Sequence, residues 1–76
     1  MRELEIFAER VRVLRKQRGM SQKELGEAIG LSHKSISTIE SGSRTTTLEK
    51  LVMLARFFQV STDYLLGLCE EPAPRA

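Results

Sequence analysis

Residues 21 to 42 read SQKELGEAIGLSHKSISTIESG, and this stretch decides the fold. Ser21 stands three residues before Glu24. In that spacing a serine hydroxyl caps a helix start and the glutamate returns to the serine N–H. Leu25, Ala28 and Ile29 follow on one apolar face, so a helix is expected over 22–29. Gly30 ends it, because glycine takes positive φ without a Cβ clash. Ser32 reads as a second N-cap, with a helix over 33–40 and Gly42 closing it.

Helix, short glycine-containing turn and helix is the helix-turn-helix pattern, whose second helix enters the DNA major groove. The two sides of helix 33–40 differ as that role requires. Ile36 and Ile39 point inward, and Leu31 with Ile36 forms a hydrophobic staple at its entry. The opposite stripe is His33, Lys34, Ser37, Thr38 and Ser41. Serine and threonine are weaker helix formers than the Glu and Lys of an ordinary solvated face. Groove contact supplies a reason for them: hydroxyls meet base edges, Lys meets guanine acceptors or phosphate, and the Thr methyl meets thymine. Glu40 flanks the inward side, and Arg15 flanks the apolar stripe of the preceding helix in the same manner. The two are expected to pair, the alternative being two independent surface charges.

Working outward, Leu4, Phe7, Val11 and Leu14 recur at helical steps and predict a first helix over 3–18, stopped by Gly19. Arg10, Arg12, Lys16 and Arg18 are expected in solvent. Gln22 opens the next helix, where unpaired N–H groups and its amide suit a phosphate; a plain surface glutamine fits equally well. Met20 and Leu25 form another staple. After Gly42, Ser43 and Arg44 begin a connection expected to run beside the DNA backbone, so Ser41, Ser43 and Arg44 are phosphate candidates. Thr46 or Thr47 caps a fourth helix over 48–58, whose apolar face is Leu48, Leu51, Val52, Leu54, Ala55 and Phe58. Ser61 caps a short fifth helix to about Leu66, with Val60 and Leu65 as its staple and Gly67 as its end. The reading is one domain over 1–68 and a disordered tail over 69–76.

Composition narrows the rest. Apolar residues make up 41% of the 76, enough for one small core. A single cysteine, Cys69, excludes a disulfide framework and a cysteine-built zinc site. It reads as an inert thiol, an inter-subunit disulfide being the alternative. No apolar run reaches membrane-span length and no signal-peptide pattern opens the chain, so a cytoplasmic, nucleoid-associated protein is expected. Net charge is +2, with +3 over residues 1–20, balance over 21–46 and −1 beyond, which suits one anionic partner face or a merely solvated surface.

The stretch from Leu14 to Gly67 resembles the Cro/CI-type, or XRE, helix-turn-helix regulators. The resemblance rests on R-x-x-R-G-x-S-Q-x-E-L, G-L-S, I-S-x-I-E-x-G, L-E-K-L and V-S-x-D-Y-L-L-G in unbroken register. It implies an all-α, five-helix domain of the lambda-repressor type. It also implies a phosphate contact from Gln22, base contacts from Ser32, His33, Lys34, Ser37 and Thr38, and a core-side ion pair between Arg15 and Glu40. One departure is that Thr45-Thr46 stands where many members have Asn-Pro, which leaves the loop less constrained in φ.

A homodimer is expected, because one short helix makes few base contacts and a two-fold dimer doubles them. The candidates for its interface are Phe57, Thr62, Leu65, Leu66 and Leu68. Enzyme chemistry is not expected: His33 and Cys69 lie on different elements, with no orienting carboxylate or oxyanion site in view. No metal or cofactor is called for. The rival reading is a protein-interaction module that binds a partner such as a toxin or antirepressor. Such a surface favours aromatic, Met or Leu anchors, where this one has Ser, Thr, Lys and His.

Overall fold

The computed structural model describes residues 1–73. Five helices follow one another: α1 (Arg2–Gln17), α2 (Gln22–Ile29), α3 (His33–Ser41), α4 (Leu48–Phe58) and α5 (Thr62–Leu65). Among the described residues there is no strand, and no helix is long and apolar enough to cross a membrane.

The helix starts are set by local hydrogen bonds. Ser21 Oγ accepts from the Glu24 N–H at 3.0 Å, while the Glu24 carboxylate accepts from the Ser21 N–H at 2.8 Å. Ser32 and Ser61 cap α3 and α5 in the same fashion, and Thr47 rather than Thr46 caps α4. The Thr46 hydroxyl is instead buried without a partner. Two glycines shape the turn between α2 and α3. Gly30 sits at φ +76° and ends α2. Gly26 lets the turn fold back onto α2, since a Cβ there would stand 2.5 Å from the Leu31 carbonyl oxygen.

The core joins all five helices through Phe7 and Val11, Leu25 and Ile29, Ile36 and Ile39, Leu54, Ala55 and Phe58, and Leu65, with Val60 before α5. Three residues placed on apolar faces by periodicity lie outside it: Ala28 is exposed, Val52 is half-buried, and Leu48, the first residue of α4, is 76% exposed.

Arg10, expected in solvent, is half-buried. Its guanidinium donates to the carbonyl of Tyr64 and, at 3.2 Å, to that of Cys69. It pairs with Glu70 at 3.1 Å and lies 4.1 Å from the Tyr64 ring centre. The Ser61 N–H also donates to the Pro72 carbonyl at 3.0 Å. Residues 69–72 are therefore held against α1 and α5, a departure from the disorder expected of that segment. The remainder of the expected tail, 74–76, lies outside the described residues.

Candidate nucleic-acid interface

The inward anchor of α3 is an ion pair. Arg15 Nε and Nη2 donate to the two Glu40 oxygens at 2.7 and 2.9 Å, and Arg15 Nη1 donates to the Met20 carbonyl at 2.7 Å. The side chains are only 10% and 4% exposed. One guanidinium thus ties α1 to the end of α3 and to the approach to α2. The hydrogen bond that Arg15 donates to Glu40 raises the Arg15 pKa above its ordinary value, outweighing the opposing effect of burial. Such forked pairs fix direction as well as distance.

The pair continues toward the surface. Gln22 donates its amide to Glu40 Oε1 at 3.2 Å, and its amide oxygen faces His33 Nε2 at 3.1 Å. This contact joins the first residues of α2 and α3. One amide hydrogen of Gln22 goes to Glu40, leaving the second free to donate outward. Sequence reasoning placed Gln22 and His33 on the same surface separately. Their contact was missed, because eleven residues and a turn separate them.

The outward residues of α3 are not equally free. His33, Lys34 and Ser37 are exposed. The Thr38 hydroxyl donates back to the Lys34 carbonyl at 2.9 Å, so it offers lone pairs and a methyl but no proton. Ser32 caps the helix and its hydroxyl donates to Ser35 Oγ at 3.0 Å. Ser41 Oγ donates to the Thr38 carbonyl at 2.8 Å, which makes Ser43 the donor in the 2.8 Å contact between the two serine hydroxyls. Both of those protons are committed to closing α3.

Arg44 is exposed in the connection after α3. Lys34, Thr38, Arg44 and Thr45 line one open cleft between α3 and the following connection. Lys50, from the first turns of α4, lines the same cleft. Sequence reading counted Lys50 only as a charge; its place three residues after the Thr47 cap was the available signal.

The surface expected to join two copies needs one correction. Leu65 is fully buried in the core and has no surface to offer. It was drawn in because the N′ to N4 staple and an interface call on the same residue type. Phe57 is half-buried, edge-on to Phe58 with ring centres 5.2 Å apart, and the Arg18 guanidinium lies 5.1 Å from its centre. Thr62 and Leu66 are half-buried, and Leu68 is 65% exposed.

Comparison with known proteins agrees with this architecture. A family model described as helix-turn-helix matches residues 11–65. The uncharacterized HTH-type transcriptional regulator YobD of Bacillus subtilis (strain 168) is 40% identical over 70 residues, covering 92% of this chain and 62% of YobD. Control protein C.SmaI of Serratia marcescens is 39% identical over 62 residues, 82% of this chain and 74% of that protein. Among solved structures, the restriction-modification controller protein C.AhdI from Aeromonas hydrophila superposes with a TM-score of 0.75 at 29% identity, covering 86% of this chain and 98% of that one. The chain spans between 48% and 62% of the length of the first three curated relatives it matches. With the capped α2–turn–α3 unit, the matched span and the shared fold in agreement, the chain belongs to the Cro/CI-type (XRE) helix-turn-helix family of transcriptional regulators.

Proposed function

We propose that this chain is a sequence-specific double-stranded DNA-binding regulator, acting as a homodimeric repressor on a palindromic operator in the cytoplasm. The observation that carries the reading is the division of α3. Its inner side is locked by Ile36, Ile39 and the buried Glu40–Arg15 pair, while His33, Lys34 and Ser37 stand free on the outside. A rigid helix with a free, adaptable polar face is what base reading requires.

In this reading His33, Lys34, Ser37 and Thr38 meet base edges, with Ser32 at the helix entry. Thr38 acts through its methyl and lone pairs. Gln22, Arg44 and Lys50 meet phosphates: Gln22 through its free amide hydrogen, the other two as cations beside the α3 cleft. Leu68, Leu66, Thr62 and Phe57 form the dimer surface, which sets two α3 helices about 34–36 Å apart on successive turns of DNA. No catalysis, metal or cofactor is assigned. The outward face of α3 has no aromatic, Met or Leu anchor, so the partner-module reading gains nothing from it.

Selection of bound duplexes from a random DNA library tests the proposal. An inverted repeat is the expected product. A single enriched half-site would remove the dimer, and no enrichment would remove sequence-specific binding. On the selected site, Arg44→Ala should lower the log–log salt slope by about one unit. An unchanged slope would take Arg44 off the phosphate list.

A further inference from the structure

Among the described residues, the buried side-chain polar atom without a hydrogen-bond partner is the Thr46 hydroxyl. An orphaned buried hydroxyl destabilises the state that holds it. It is also a departure from the family, since the Thr45-Thr46 pair stands where many members have Asn-Pro, and proline carries no hydroxyl. Thr46 lines two hollows at once. One is the cationic cleft of Lys34, Arg44 and Lys50. The other is an apolar groove of about 280 Å³, formed by Leu4 and Phe7 of α1, Leu48 and Leu51 of α4, and Leu66 after α5. Thr45, Thr46 and Thr47 line both, so this connection is the wall between them. Among the described residues, no charged side chain lines the groove and no acidic one lines the cleft.

We propose that the groove is a ligand site for a medium-chain carboxylate, with the acyl chain on Leu4, Phe7, Leu48 and Leu51 and the carboxylate accepting a hydrogen bond from the Thr46 hydroxyl. Small-molecule sites are mostly apolar hollows of about 300 Å³ upward in which a few polar groups fix orientation. The acyl chain follows from the lining. Leu48 leaves most of its surface in water, and covering it with a hydrocarbon chain is favourable. The head follows from the charges. A group at the wall faces Lys34, Arg44 and Lys50 across the threonines, which favours an anion over an ammonium. The hydroxyl is closed from solvent, so Thr46 meets the head by turning about χ1 between staggered positions. The consequence for regulation rests on the DNA-binding reading above. A carboxylate held at the wall is a second anion beside Arg44 and Lys50, and it opposes a DNA phosphate in the cleft.

Decanoate is the probe, titrated into the full chain below its micelle concentration and followed by amide NMR. Saturable shifts are expected at Leu4, Leu48, Leu51 and Leu66, with a Kd of about 1 mM or tighter. Decylammonium, equal in chain and opposite in charge, should bind about tenfold more weakly. Thr46→Val keeps the shape and removes the hydroxyl. It should cost about tenfold in decanoate affinity yet raise the Tm, because the orphaned group goes with it. Shifts absent from the groove, equal binding of the two probes, or a decanoate affinity indifferent to Thr46→Val would each overturn the site. So would a dimer that Leu48→Ser splits in sedimentation, since the groove would then belong to a second copy. On the selected duplex, saturating decanoate should weaken wild-type binding about fivefold or more, with little effect on Thr46→Val at the same concentration. An unchanged wild-type affinity would overturn the regulatory role. A DNA library without an enriched site would remove the DNA-binding reading, and the titration would still decide the ligand site.

Discussion

The two polar assemblies of the molecule are built from similar parts and arranged in opposite directions. At the α1–α3 contact, Arg15 grips Glu40 in the interior, and hydrogen bonds run outward through Gln22 to His33. At the other end, Arg10 faces the carbonyls of Tyr64 and Cys69, and its carboxylate partner Glu70 is exposed. The first assembly has its charge pair at the core and its free groups at the surface. The second has its charge pair at the surface and uses the arginine to hold chain against chain. An ion pair in water contributes little, and one removed from water is costly to break. The difference therefore divides the molecule into an end that positions the outer face of α3 and an end that fastens residues 69–72.

The sharpest way to break this comparison is Glu40→Ala. It strands the Arg15 guanidinium in the core and should cost about 3–5 kcal/mol, which is more than 10 °C of Tm for a domain of this size. A melt within two or three degrees of wild type would show that the inner pair behaves as a surface pair.

Arg10→Ala comes next. It removes hydrogen bonds to two carbonyls and the contact with the Tyr64 ring, for an expected loss of about 1–3 kcal/mol. Glu70→Ala should stay within about 0.5 kcal/mol, because its carboxylate is solvated. Equal losses from the two would place the value of the second assembly in its ion pair after all. Amide exchange over residues 66–72 reads the same change locally, with faster exchange expected in Arg10→Ala.

A smaller effect sharpens the α2 boundary. Ser21→Ala removes half of the capping box and should cost about 1 kcal/mol by urea denaturation. The hydrogen bond from the Ser21 backbone N–H, and then the one with its side chain, hold the Glu24 pKa below the ordinary carboxylate value. The sign follows from that direction. Stability from Glu24 is fully present above its unfolded pKa and is lost as pH falls through the lower folded one. The stability gap between wild type and Glu24→Gln should therefore be open at pH 7 and close in acid, as pH falls through the lowered folded pKa. A gap that widens in acid would contradict the capping geometry.

What could be read from the chain follows the same division. The α2–turn–α3 unit is governed by short-range rules: a cap three residues from its partner, a glycine at positive φ, apolar residues at helical steps. Those rules placed Ser21, Gly30, Ser32 and Gly42, and the facing flanks of two helices pointed to Arg15 and Glu40. Gly26 escaped, because its need is the approach of a carbonyl five residues on, which no periodicity encodes. The Arg10 assembly escaped for a stronger reason. Its partners lie 54 to 60 residues away, so a charged residue on a mostly solvated stripe gave no local sign of them. Leu65 and Leu66 show the limit within one element. Both are leucines beside a short helix, and only the packing of α5 against α1 and α4 makes the first core and the second half-exposed. At the candidate interface, residue types were legible and proton positions were not. Thr38, Ser41 and Ser43 read as free hydroxyls until their backbone and side-chain partners were in place.

The central claim is that α3 is fixed from within so that its outer face can read bases. Lys34 tests it most directly, since it is exposed on that face and takes no part in the inner anchor. The measurement is the affinity of Lys34→Ala for the selected duplex and for a scrambled duplex of equal length at one salt concentration. Specific affinity should fall by about fivefold to a hundredfold, with a smaller loss on the scrambled duplex. Equal losses on the two would reduce Lys34 to a phosphate contact and contradict base reading by this face of α3.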